Sequence, residues 1–180
     1  KSYKNLEINR GYKEDDLLGG DDPYSGSKGA AELIINSYYK SIIKFKKNLS
    51  INIARAGNVI GGGDWSKDRV IPDCVKSWSK NKKVLIRNPR STRPWQHVLE
   101  ATWGYLLFSL ILKKNKKLHG EAFNFGPNNM KNYNVISLVK LMKKYWKKVS
   151  WKVVKEKRKI YSESNLLKLN SNKAKIKLKW

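Results

Sequence analysis

Asp22-Pro23-Tyr24-Ser25-Gly26-Ser27-Lys28 opens a helix, expected over residues 25–46, that gives way to the alternating strand Ile51-Asn52-Ile53-Ala54-Arg55-Ala56. Pro23 suits a helix entry because its ring fixes φ. Leu33, Ile34, Tyr38, Ile42 and Phe45 recur at spacings near three and four and predict one buried stripe. Asn48-Leu49-Ser50 breaks the helix before the strand. Helix followed by strand is half of a βαβ unit, so the fold class is α/β. Loops at the carboxyl ends of strands are where such sheets bind ligands, and residues 57–65 form a glycine-rich loop at that place.

Tyr24 and Lys28 stand one turn apart on the same helical face. A phenol of ordinary pKa, about 10, is a poor base at neutral pH, but a neighbouring ammonium favours its phenolate. The spacing alone carries little weight. In a chain with 9 Tyr and 39 Lys and Arg, roughly one or two such pairs arise by chance.

Around this unit, residues 1–22 read as a loop, 67–81 as a helix and 84–86 as a strand. A mainly apolar helix over 98–113 follows, then a strand at 122–125, a helix at 135–146, strands at 151–154 and 166–169, and a terminal helix at 171–178. Arg87, Arg90 and Arg93, on a segment stiffened by Pro89 and Pro94, are candidates for holding a phosphate or pyrophosphate. His97 reads as a structural hydrogen-bond donor, and Cys74, the one cysteine, as a core residue with no disulfide partner. Gly61-Gly62-Gly63 is not a dinucleotide fingerprint, and no G-x-G-x-x-G occurs in the chain. Metal-ligand spacing is absent too, so no metal is expected.

The 39 basic residues against 14 acidic ones give a net charge of +25, which raises the question of nucleic acid. The excess is overwhelmingly lysine rather than the arginine suited to bidentate phosphate recognition, and it is spread over helix exteriors such as Lys143, Lys144, Lys147 and Lys148. A nucleic-acid-binding module is therefore the lesser reading. Hydrophobic content of 40% places the chain among globular proteins, and no stretch has the length to span a bilayer as a helix. A soluble, cytoplasmic protein is expected. Lys1 and Trp180 both read as cut ends of a longer chain.

Tyr24-Ser25-Gly26-Ser27-Lys28 leading into Ala54-Arg55-Ala56-Gly57-Asn58-Val59-Ile60-Gly61 resembles the extended short-chain dehydrogenase/reductase superfamily. The runs Gly62-Gly63-Asp64-Trp65, Asp68-Arg69-Val70-Ile71-Pro72-Asp73, Arg93-Pro94-Trp95-Gln96-His97 and Phe123-Asn124-Phe125-Gly126-Pro127 resemble, within it, the CDP-glucose 4,6-dehydratase family. That resemblance implies the C-terminal portion of a Rossmann-like doubly wound parallel sheet with a smaller mixed α/β substrate domain. Residues 1–60 would be the remainder of the NAD-binding domain, with about 95–115 packing back on it, and 61–180 the nucleotide-sugar region.

It further implies a lyase that uses NAD to oxidise C4 of CDP-glucose, eliminates water across C5 and C6 and returns hydride to C6. Tyr24 would be the base at the C4 hydroxyl, Lys28 its partner and a ligand of the nicotinamide ribose, and Lys1 the family's elimination lysine. Asn58, Arg69, Arg93 and Asn124 match substrate-binding positions. A homodimer or higher oligomer is implied, since relatives pair through the tyrosine-bearing helix. A 180-residue piece without the glycine-rich fingerprint is expected to be inactive alone. The alternative within the class is another sugar-nucleotide dehydratase or an epimerase.

Overall fold

The computed structural model describes residues 2–127, 133–154 and 165–180. In chain order the elements are α1 (Pro23–Ser41), β1 (Ile53–Ala56), β2 (Asn58–Ile60), α2 (Val70–Ser79), β3 (Val84–Ile86), β4 (Trp95–His97), α3 (Val98–Lys114), β5 (Ala122–Phe125), α4 (Val135–Lys143), β6 (Trp151–Val153) and α5 (Asn172–Leu178). The strands form three two-stranded sheets, β1 with β5, β2 with β4 and β3 with β6, and each pairing is parallel. Parallel pairing requires crossover connections, and helices α2, α3 and α4 supply them. The α/β expectation holds.

Pro23 is the first residue of α1, and Asp22 caps it, its carboxylate accepting from the Ser25 amide at 2.9 Å and the Ser25 hydroxyl at 2.6 Å. The helix stops earlier than its apolar spacing predicts. Ile42, at φ −129° and ψ −56°, leaves helical geometry, and only a 3₁₀ turn, Ile43–Phe45, follows. The predicted buried stripe is also overturned: Leu33, Ile34, Tyr38, Ile42 and Phe45 are 48–70% exposed. The face that packs is the small and polar one, Ser25, Gly29 and Glu32. Gly29 permits this approach, because a Cβ there would lie 2.7 Å from the Gly19 amide nitrogen.

After β1 the chain changes partners at Gly57, whose amide still donates to Phe125 of β5 at 3.0 Å while the next amide, of Asn58, donates to the Pro94 carbonyl at 2.9 Å. The sequence reading placed a loop from residue 57, yet Asn58–Ile60 forms β2, and β4 lies in a second stretch read as loop. Three-residue strands leave too short a run for alternation to register. Val59 and Trp95 are not the exposed ends of a loop but members of a parallel ladder that aims the Gly61–Gly63 turn outward from the strand ends.

One core gathers Phe108 of α3, Leu118, Phe123 and Phe125 of β5, and Ala174 and Leu178 of α5. A second packs Cys74 and Trp78 of α2 on Val84 and Ile86 of β3 and on Val139 and Val149, with Trp78 donating its indole N–H to the Ser150 carbonyl at 2.8 Å. Residues 2–22 are not the bare loop expected. Tyr3 bridges Leu18, Tyr12 bridges Leu169, and the two rings stack at 5.1 Å with Leu169 in a small third core. That single bridge is all that exists of the predicted 166–169 strand. His97 caps α3 as an acceptor rather than a donor, taking the Leu99 amide on Nδ1 at 3.2 Å. No helix among the described residues is long and apolar enough to cross a membrane.

Candidate active site

The ends of β1 and β2, the flank of α1 and the 61–72 segment enclose a cleft of about 1230 Å³. That exceeds the roughly 300–1,000 Å³ usual for a drug-sized ligand and leaves room for two ligand moieties side by side. Tyr24, Lys28, Asn58, Arg69 and Arg93 all line it. Residues far apart in sequence thus converge on one space.

α1 presents Tyr24 and Lys28 from the same face, with the Lys28 ammonium 5.7 Å from the centroid of the Tyr24 ring. Tyr24 is 56% exposed, open to the cleft. Asn58 stands at the partner switch between the two sheets, half-buried and held by its ladder position opposite Trp95. Arg93 is half-buried on the neighbouring strand's approach, its Nη1 donating to the Thr92 carbonyl at 2.8 Å. Arg69 extends from the N-terminus of α2 beside Asp68, a residue in the left-handed region at φ 60°. The Asp68 carboxylate pairs with Arg87 at 2.8 Å. Lys28, Arg69 and Arg93 bring three cationic groups suited to a diphosphate to a lining that also carries Asp64 and Asp68.

Of the other two predicted residues, only Asn124 is described. Lys1 lies outside the described residues. Asn124 is fully buried and does not reach the cleft. Its amide nitrogen donates to the carbonyls of Tyr12 at 2.9 Å and Asn170 at 3.1 Å, and its amide oxygen accepts from the Tyr3 hydroxyl at 2.6 Å. With every side-chain polar atom engaged inside the protein, Asn124 has nothing left to offer a ligand. Of the three loop arginines, Arg93 lines the cleft and Arg87 is paired with Asp68.

The sequence reading missed the wall behind Tyr24. Glu32 of α1 and Arg55 of β1 form a buried ion pair there, with Nη2 to Oε2 at 2.5 Å and both side chains 7% exposed. Burial works against the Arg55 charge, but the Glu32 carboxylate and Tyr3 oxygen outweigh it and raise the guanidinium pKa. Burial likewise pushes the Tyr3 phenol up to about 12 despite the neighbouring Arg55 charge, so Tyr3 is a neutral hydrogen-bond donor. The available signal was an arginine in mid-strand, a residue type almost never buried unless paired. Trp65, the last residue of the expected ligand loop, lines the cleft; it is 57% exposed, with the Lys76 ammonium donating to its carbonyl at 2.5 Å.

Parallel strands, the tyrosine–lysine turn and the cleft at a strand-end switch give this chain the fold of solved nucleotide-sugar epimerases and dehydratases. UDP-glucuronic acid 4-epimerase from Bacillus cereus, solved with UDP-glucuronic acid and NAD, superposes with a TM-score of 0.82 at 20% identity over all of this chain and 53% of its own. dTDP-glucose 4,6-dehydratase from Bacillus anthracis, in complex with NAD, gives 0.79 at 22% identity over 99% of this chain and 53% of its own. In sequence the chain is similar over its whole length to CDP-glucose 4,6-dehydratase of Salmonella typhimurium, at 42% identity over 185 aligned residues, all of this chain and 51% of the relative. dTDP-D-glucose 4,6-dehydratase of Dictyostelium discoideum is 32% identical over 125 residues, 69% of this chain and 26% of its own length. The chain therefore spans about half the length of the Salmonella relative. No family model matches the chain.

Proposed function

We propose that this chain forms the substrate side and the catalytic tyrosine of a CDP-glucose 4,6-dehydratase, which converts CDP-glucose to CDP-4-keto-6-deoxyglucose and water. The observation that carries the reading is the convergence of Tyr24, Lys28, Asn58, Arg69 and Arg93 on one cleft. End-to-end similarity to the Salmonella enzyme supports the choice of nucleotide sugar.

Tyr24, as the phenolate that the Lys28 ammonium stabilises, takes the proton of the C4 hydroxyl as the C4–H bond is oxidised and becomes a neutral phenol. The ketone at C4 acidifies the C5 proton, whose removal expels the C6 hydroxyl as water. Addition of a proton at C5 and hydride at C6 closes the cycle with no net redox change. Asn58 and Arg93 hold the diphosphate, and Arg69 lies where the base end would enter. Orientation of this kind supplies much of the rate, since the reacting carbon must sit within contact distance of its partners.

The residues present fit the nicotinamide-ribose end of NAD, because Tyr24 and Lys28 turn a phenol and an ammonium into an open region of the cleft. NAD, when bound, would supply the hydride acceptor and donor that the cycle needs. Lys1 is read as an acid or base for the elimination.

The test is to express the full reading frame that contains this chain and incubate it with NAD⁺ and, separately, CDP-glucose, dTDP-glucose, UDP-glucose and GDP-mannose. Loss of one water from CDP-glucose in preference to the others, read by mass spectrometry, is the expected result. Dehydration of another sugar nucleotide instead, or epimerisation without loss of water, would refute it.

A further inference from the structure

Glu32 follows Lys28 by one helical turn and Tyr24 by two, so the three residues share one stripe of α1. The Glu32 carboxylate receives the Arg55 Nε–H at 3.0 Å on both oxygens and Nη2 at 2.5 Å on one. The far side of the same guanidinium donates from Nη1 to the Tyr3 hydroxyl at 2.5 Å and to the Glu14 carbonyl at 3.0 Å. Its Cζ lies 4.7 Å from the Tyr3 ring centroid. A single planar group therefore joins the helix that carries Tyr24 and Lys28, the strand behind it and the segment that enters the cleft wall at Ser2 and Tyr3.

An ion pair this buried is weak evidence for stability alone, because desolvation offsets most of its attraction. Its geometry does what an apolar contact would not. The packed face of α1 consists of Ser25, Gly29 and Glu32, which offer few large side chains to interlock with a neighbour. A forked, bidentate grip fixes angle as well as distance. A rotation of α1 by about 10° moves a side-chain tip, some 5–6 Å from the axis, by about 1 Å. Misplacement of that size costs up to ~10²-fold in rate.

We propose that Glu32, Arg55 and Tyr3 form a positioning device that sets the rotation of α1 and its spacing from the Ser2–Tyr3 segment, so that Tyr24 and Lys28 face the cleft in one arrangement. Arg55 and Glu32 act through those two residues.

This inference rests on the dehydratase reading, and its test separates the two. In the full-length protein, Arg55→Lys keeps the charge and loses the fork, Glu32→Asp keeps the carboxylate and shortens its reach by one methylene, Glu32→Gln loses the charge, and the exchanged pair Glu32→Arg with Arg55→Glu restores an ion pair. Steady-state kinetics with NAD⁺ and CDP-glucose is one readout; amide hydrogen exchange over residues 20–31, which needs no substrate, is the other. Each single variant is expected to lower kcat about tenfold or more with KM within about threefold. Exchange over 20–31 should quicken severalfold, and Glu32→Asp should retain more kcat than Glu32→Gln. Variants that melt earlier with unchanged kcat, or that raise KM at constant kcat, would overturn the proposal. If the unaltered protein dehydrates no nucleotide sugar, the functional reading falls and exchange alone decides. Faster exchange confined to α1 upholds the positioning role, and unchanged or uniformly faster exchange removes it.

Discussion

The Tyr3 hydroxyl and the Asn124 side-chain oxygen meet at 2.6 Å across 121 residues of sequence, inside the protein. Asn124→Ala removes this bond and the side-chain donor to the carbonyls of Tyr12 and Asn170, although the Tyr12 carbonyl keeps the Asn170 amide at 2.8 Å. The expected cost is about 2–4 kcal/mol of stability in urea unfolding. KM for the nucleotide sugar should stay within a factor of about two, whereas Arg93→Ala should raise it roughly tenfold or more at little cost in stability. Equal KM effects in the two variants would return Asn124 to the substrate.

Replacing Arg55 by Met leaves Glu32 charged and buried without its partner. Stability should fall by about 3–5 kcal/mol, while Glu32→Leu with Arg55→Met together should cost clearly less than the sum of the single changes. Additive losses in denaturant titrations would show that the two side chains are not coupled.

Alkaline lability should be pronounced. The Tyr3 phenol is raised from 10.0 to about 12 and the Cys74 thiol from 9.0 to about 12, both by burial. The unfolded chain releases these protons first. Each contribution is therefore complete below the unfolded pKa and lost as pH rises through the folded one. For Tyr3 that is about 2–3 kcal/mol between roughly pH 10 and 12. Melting temperatures that stay level from about pH 9 to 11.5 would contradict it.

Cys74 is fully buried on α2 and held as a neutral thiol. Native protein should leave a maleimide or disulfide reagent unreacted at about pH 7, with modification appearing only as denaturant unfolds the core around Trp78. Rapid labelling of the folded protein would show that this core opens locally.

Tyr24→Phe keeps the ring that Lys28 overlies and removes the proton acceptor. In the full-length protein kcat should drop about 10²–10⁴-fold with binding of CDP-glucose changed only a few-fold, measured by calorimetry. A loss in affinity matching the loss in rate would make Tyr24 a binding residue instead.

Helix, break and strand order was legible from residues 22 to 56, because Pro23, the Asn48–Ser50 break and the alternation of 51–56 are local signals. So was the placement of Tyr24 beside Lys28, which follows from helical pitch alone. Arg69 and Asn58 were reached through motif resemblance and Arg93 also as an arginine on a proline-stiffened segment, and the cleft does gather them. Less was legible where partners are distant. The apolar spacing of Leu33, Ile34, Tyr38, Ile42 and Phe45 predicted a buried stripe, but α1 ends before Ile42 and all five residues lie exposed, because spacing does not say what covers a face.

What the sequence by itself determined is the α/β succession, the cap and first turn of α1 and the side-by-side setting of the phenol and the ammonium. Each is fixed by neighbours within a turn or two of chain. Tertiary structure alone decided that Asn124 is a buried tie rather than a ligand and that Glu32 and Arg55 brace the wall behind Tyr24. It also decided that the chain switches sheets at Gly57 to open the cleft. Those outcomes depend on β1 lying parallel to β5, 53–56 against 122–125. Only that long-range pairing brings Tyr3, Arg55 and Asn124 within hydrogen-bonding distance, and no local periodicity encodes it.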